Sequence, residues 1–206
     1  MKASEAKTPA HKIRREREIE RLKKDILEVA RELARKKGWE EVSIRKIAEK
    51  IAYTPPVIYE HYKGGKPEIL GELEKMGFTM LQEAIEHAYT ATLPHPPSQL
   101  ESASIAAWDF AMKNPDLYQV MFNLEGIRSV PAGQHYLRES AAVVAHFFQS
   151  LPPYPGGREE LFFNWWAMVH GFISLSMTGH TPDMKPRLRS MLAASARRFV
   201  EGLTRG

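Results

Sequence analysis

The strongest constraint on the fold lies in residues 43–63, SIRKIAEKIAYTPPVIYEHYK. Ile44, Ile47, Ala48 and Ile51 recur at i, i+3, i+4 and i+7, the spacing of one apolar helix face. Ser43 stands just before them, where a hydroxyl accepts from an orphan amide at a helix start. Only Ala52, Tyr53 and Thr54 follow before Pro55. Proline suits the first position of a helix, because its fixed φ fits and its missing N–H is no loss there. Thr54 is then placed as a second N-cap. On the second helix Ile58 and Tyr62 turn inward, while Val57, Tyr59, His61 and Lys63 stay toward the outer side. Two capped helices joined so closely predict a helix-turn-helix, whose second helix is shaped to enter a major groove.

With their flanks, these residues resemble the DNA-binding domain of the TetR/AcrR family of bacterial transcriptional regulators. The resemblance covers residues 22–72. Ile26, Ala30, Leu33, Ala34, Gly38 and Trp39 match a first helix that ends in Gly-aromatic. Ser43-Ile44-Arg45-Lys46-Ile47-Ala48 match the start of the second, and Ile58-Tyr59-Glu60-His61-Tyr62-Lys63 the end of the recognition helix. There are two departures. Ala52 stands where the family usually has a turn glycine, a substitution that strains the backbone if φ is positive. Between Lys63 and Lys66 the chain holds one residue more than the family's Lys-x-Lys-Glu, and the two glycines there predict a loose joint.

What the resemblance implies is a homodimer reading a pseudo-palindromic operator in double-stranded DNA. Pro55, Pro56 and Val57 are then apolar surfaces for thymine methyls. Tyr59, His61 and Lys63 grip phosphates as their family counterparts do, with Lys66 a further phosphate candidate. Arg45 meets a guanine edge or a phosphate, and Ser43 and Thr54 complete the DNA-contact set. With few bidentate donors on this helix, affinity is expected from backbone contacts and specificity from shape and Arg45.

Charge agrees with that placement. Residues 1–66 carry 18 Lys/Arg against 11 Asp/Glu, a net +7, while the remaining residues carry 11 against 14, a net −3. The excess lies where phosphates would be met. Cysteine is absent, which excludes disulfides, thiolate catalysis and Cys-based zinc sites. The eight histidines form no His-x-x-x-His pair, and neither a Gly-rich phosphate loop nor Gly-x-Ser-x-Gly occurs. The expectation is no enzyme, no metal and no cofactor. The charged N-terminus has no apolar core segment, so a cytoplasmic protein is expected. The uncharged run 161–182 has the length of a membrane span, but its Asn, His, Ser and Thr residues fit a buried helix better.

The chain reads as all-α, with about nine helices. A basic, partly disordered arm is expected at 1–21, the helix-turn-helix domain at 22–66, and a larger C-terminal ligand-binding and dimerisation domain at 67–206. In that arm HKIRREREIERLKK reads equally as a solvated helix extension laced with i, i+4 pairs or as a basic arm on DNA. Helices are expected at 67–89, 98–113, 115–123, 133–150, 158–178 and 186–203, with proline-rich breaks between several of them.

Trp166-Ala167-Met168-Val169-His170-Gly171 and the earlier Asn114–Phe122 segment resemble the Trp-His-Gly ligand-binding domain of some TetR-like regulators. That resemblance implies a small-molecule effector, apolar or aromatic, and a homodimer made by the last two helices. Trp108, Met112, Phe122, Tyr136, Phe147, Trp166 and His170 are the candidate pocket residues, since such pockets pair apolar walls with a few polar groups. For each of them a place in a packed core is the plainer reading. Two other readings remain at this stage: a C-terminal domain that only dimerises or meets a protein, and a carrier or enzyme.

Overall fold

The structure is a computed structural model that describes residues 10–92, 95–124, 148–149, 151, 153–178 and 182–204. Among the described residues it is all-helical. The helices are α1 (Ala10–Lys37), α2 (Ile44–Lys50), α3 (Pro55–His61), α4 (Lys66–Ala91), α5 (Pro96–Lys113), α6 (Pro115–Met121), α7 (Gly157–Met177) and α8 (Lys185–Thr204). A 3-10 turn, Trp39–Glu41, separates α1 from α2. The helix expected at 133–150 falls almost wholly outside the described residues, as do residues 1–9 of the arm, Tyr136 and Phe147. The chain divides into two compact units, 1–70 and 71–206.

In the first unit, α1 carries Arg35, Lys36 and Lys37 in its last turn, where cations offset the negative helix end. Gly38 ends it at φ 81, a left-handed conformation that costs glycine little. Trp39 then folds under the turn and is buried with Ile26, Ala30, Ala34, Val42, Ile47, Ala48, Ile58 and Tyr62. Burying an isoleucine such as Ile47 contributes about 1.5–3 kcal/mol. Lys50 reaches from α2 to Glu32 on α1 at 2.6 Å. Hydrogen bonds from Lys36 and Lys50 hold the Glu32 carboxyl well below the usual range, at about 2.

In the second unit α5 packs on α8. Leu100, Ala103, Ala107 and Ala111 of α5 are buried at helical spacing, as are Leu188, Leu192, Ala196 and Val200 of α8. Two bidentate pairs flank this seam: Arg189 to Asp109 at 2.9 and 2.8 Å, and Arg197 to Glu101 at 2.9 Å twice. Helix α7 lies alongside. Its Trp165 indole N–H donates to Ser104 Oγ at 2.9 Å, and that hydroxyl donates to the Leu100 carbonyl at 2.7 Å. This satisfies a donor that burial would otherwise leave without a partner. On α4, Gly77 admits α6 closely: a Cβ there would lie 2.5 Å from Met121 Sδ. No described helix is long and apolar enough to cross a membrane, including α7, which holds most of the uncharged run.

Candidate functional site

The helix-turn-helix is built as its spacing requires. Ser43 caps α2, its hydroxyl accepting from the Lys46 amide at 3.3 Å. Helix α2 ends on Ala52, whose φ is 59. The Tyr53 amide donates to the Ala48 carbonyl at 2.9 Å, and the Ala52 amide to Glu49 at 3.3 Å. These two bonds define a Schellman motif, in which the residue held by Ala52 is usually glycine. The suspected strain is therefore present, and the turn keeps its glycine-type geometry without the glycine.

Thr54 takes the N-cap position of α3, but its side chain makes no cap hydrogen bond. The reason is local. Pro55 and Pro56 have no N–H, and the Val57 amide donates to the Thr54 backbone carbonyl at 3.1 Å. The exposed Thr54 hydroxyl is thus left uncommitted at the helix start. Pro56 and Tyr59 are also exposed, whereas Pro55, Val57 and His61 are half-buried. Ile58 and Tyr62 are buried, as the spacing indicates. Tyr53, half exposed in the turn, is a surface residue that sequence reasoning misses. Its apolar ring at a turn carries the only signal.

The cations of this surface divide into two groups. Lys46 is paired with Glu41, and Lys50 with Glu32. Arg45 and Lys63 are exposed and have no ion-pair partner among the described residues. Lys66 differs from both groups. Its ammonium donates to the Trp39 carbonyl at 2.6 Å, and burial pushes its pKa down from the ordinary lysine value. One of its donors therefore ties the start of α4 to the turn after α1.

The joint between α3 and α4 is not loose, contrary to the expectation from two glycines. Gly65 adopts φ 64, and its amide donates to the Tyr62 carbonyl at 2.9 Å. The Gly64 amide donates to Glu68 Oε2 at 2.7 Å. The Tyr59 ring covers Gly65, so a Cβ there would lie 3.2 Å from the ring. The extra residue is absorbed into a fixed turn that also seats Tyr59.

In the second unit, three of the five described pocket candidates meet. Phe122, Trp166 and His170 lie with ring centroids 4.7–6.1 Å apart. Phe78 and Tyr118 complete the cluster, 5.5 and 4.6 Å from Phe122. The Tyr118 hydroxyl lies 2.7 Å from His170 Nδ1, and Ser174 Oγ lies 3.2 Å from Nε2. Burial pushes the Tyr118 pKa up and the His170 pKa down, so both groups favour their neutral forms. Tyr118 belongs to the Asn114–Phe122 segment that the sequence indicates, whereas Ser174 is outside the indicated set. Trp108 is buried without a ring contact to this group among the described residues. Met112 instead accepts weakly from Ser176, at 3.6 Å. None of these residues lines the open groove of about 480 Å³ between α4 and α5, whose walls include Ala88, Ser102, Ile105 and Ala106.

Comparison with known proteins agrees with this geometry. Residues 26–73 match the family model for bacterial regulatory proteins of the tetR family. Residues 100–201 match that of the tetracyclin repressor-like C-terminal domain. A comparison with curated proteins returns no match. Among solved structures, a protein of unknown function from Rhodococcus sp. RHA1 is 18% identical, with a TM-score of 0.75 over 88% of this chain and 95% of that one. A bacterial regulatory protein of the tetR family from Rhodococcus RHA1 is 20% identical, with a TM-score of 0.64 over 87% and 96%. The TetR family transcriptional regulator PfmR from Thermus thermophilus is 21% identical, with a TM-score of 0.61 over 86% and 98%. These structural likenesses speak for the fold, and the two family models in their order speak for the lineage. The chain belongs to the TetR family of DNA-binding transcriptional regulators.

Proposed function

We propose that this regulator is a cytoplasmic, ligand-responsive repressor that binds a pseudo-palindromic operator as a homodimer. An apolar or aromatic effector releases it. The observation that carries the DNA-binding part is the surface around α3. Thr54, Pro56, Tyr59, Lys63 and Arg45 are exposed together, with the two cations unpaired among the described residues. In this reading Lys63, Tyr59 and His61 hold phosphates, and Lys66 has at most a secondary part there because its ammonium already serves Trp39. Pro55, Pro56 and Val57 meet bases through apolar contact, and Arg45 supplies a directional donor. Ser43 positions α2, and Thr54 offers its unspent hydroxyl. We assign DNA reading to residues 22–66 and effector and partner binding to 67–206.

The homodimer reading, through α7 and α8, draws on the surface of α7. Phe163, Ala167, Gly171 and Leu175 recur one turn apart on α7, and Phe163 and Leu175 are 46% and 43% exposed. Exposed apolar residues at helical spacing are the pattern found where helices pack across an interface. The effector reading draws on the cluster of Phe122, Trp166 and His170, with Tyr118 and Ser174 as its neutral polar groups. Release requires only that the effector bind the non-binding conformation better than the DNA-bound one. A second reading has an observation in its favour: these rings touch one another, as they would in a packed core of a domain that only dimerises.

One experiment tests the proposal. The full chain, isolated from its host, is examined by native mass spectrometry and by gel shift on duplex DNA from upstream of its own gene. The expected result is a dimer carrying a small adduct that, once extracted and added back, releases the DNA. A dimer that binds DNA, carries no adduct and is insensitive to host extract would favour the second reading.

A further inference from the structure

Helix α1 begins well before the segment matched to the family's DNA-binding domain. Residues 10–25 precede the segment matched to that domain, yet they continue α1 without a break. At a rise of about 1.5 Å per residue they add about 24 Å of helix. They hold seven Lys/Arg against four Asp/Glu, a net +3. Four of the seven basic residues share a face, with Glu18 and Asp25 at its edge. Arg14, Arg17, Arg21 and Lys24 follow at i, i+3, i+7 and i+10, which puts them on one face. All four are exposed. The opposite face carries Ile19 and Leu22, half-buried, and runs into the buried Ile26 and Ala30. Arg14 has an i+4 partner in Glu18 at 2.9 Å, while Arg17, Arg21 and Lys24 have no ion pair among the described residues.

The extension leaves the bundle beside the end of the recognition helix. Tyr62 caps α3, and its hydroxyl lies 3.5 Å from the Lys23 carbonyl. Lys63 is the next residue. The stripe lies on the outer side of α1, away from Tyr62, in the same compact unit as the DNA-reading surface.

We infer that Arg14, Arg17, Arg21 and Lys24 form a second DNA-contacting surface that lies along the sugar-phosphate backbone next to the site read by α3. The partner is duplex DNA, chosen by charge complementarity and because the stripe belongs to the same compact unit as the recognition helix. The stripe neutralises phosphates and reads no base. Its effect is to raise affinity for every sequence and to lengthen the protected segment. The inference rests on the DNA-binding reading of α3.

The test compares full-length variants on a duplex of about 40 base pairs and arbitrary sequence, with affinity measured by fluorescence anisotropy between about 50 and about 200 mM salt. Each phosphate contact contributes about 0.9 to the slope of log affinity on log salt. Combined R14A, R17A, R21A and K24A is expected to lower the slope by up to about 3.6 per bound protomer. Alanine favours helix, so circular dichroism should stay unchanged. The R14K, R17K and R21K variant keeps the charge and is expected to keep the slope. K75A with K113A, on the second unit, is expected to leave it unchanged. Selection from a randomised duplex pool should return the same motif for the wild type and the alanine variant. A slope unchanged in the alanine variant but lowered by K63A overturns the inference and leaves the α3 reading standing. If neither change matters, both fall. Equal losses from K75A with K113A, or a changed motif, also overturn it. So does an unchanged slope accompanied by lost binding to anionic lipid vesicles, an outcome that assigns the stripe to a membrane surface.

Discussion

Ala52 holds a conformation that its side chain disfavours, and the cost can be worked from the backbone. At φ 59 it lies in the left-handed region, which costs an L-residue about 1–2 kcal/mol. Glycine removes that cost but brings about 0.5–1 kcal/mol of extra unfolded-state freedom. Ala52→Gly is therefore expected to stabilise the first unit by about 0.5–1 kcal/mol. Both Schellman hydrogen bonds involve backbone atoms and survive the change. The readout is amide hydrogen exchange in the full chain, followed on peptides covering residues 43–62. A gain of that size slows exchange there about two- to five-fold wherever opening is limited by unfolding of this unit. Ala52→Val runs the other way, because a β-branched residue tolerates positive φ least. If Ala52→Gly leaves exchange unchanged or speeds it, the strain argument is wrong.

Three further outcomes follow from the packing. Ser104→Ala leaves the buried Trp165 N–H without its acceptor, at a cost of about 1–3 kcal/mol. Thermal melting should shift down by about 2–4 °C per kcal/mol, and an unchanged Tm would show that water or another group takes the bond. Gly65→Ala meets both positive φ and the Tyr59 ring at 3.2 Å, so it should cost about 1–3 kcal/mol and weaken DNA binding by displacing Tyr59. Binding unchanged in anisotropy would separate Tyr59 from the DNA surface. His170 has a folded pKa below its ordinary 6.5, so the folded state takes up its proton less readily than the unfolded chain. Its stabilising effect is full above that value and is lost as pH falls through the folded pKa. The Tm should then fall more steeply on acidification in the wild type than in His170→Gln, and parallel curves would refute this.

The recognition unit was legible because its signals are local. The cap at Ser43, the prolines at the start of α3 and the inward Ile58 and Tyr62 all act within a few residues, where spacing fixes geometry. What the sequence hid depended on partners distant in the chain or on atoms already spent. Thr54 looked like a cap, yet the prolines that mark the helix start also remove the amides it would cap. Gly64-Gly65 looked loose, but Glu68 and Tyr59 fix it. Lys66 looked like a phosphate ligand until Trp39, 27 residues earlier, claimed one of its donors. In the second unit the Trp-His-Gly spacing puts Trp166 and His170 one helical turn apart, but only the fold pairs Tyr118 with His170 across 52 residues.

The central claim is that two copies of this chain read DNA through α3. Selection of bound sequences from a randomised duplex pool by the full-length protein tests it most directly. The expected result is enrichment of an inverted repeat with half-sites spaced by about one helical turn or a multiple of it. Lys63→Ala should weaken binding to all selected sequences and lower the salt slope by about 1 per protomer, without changing the motif. No enriched motif, or a single unrepeated half-site bound by a monomer, would contradict it.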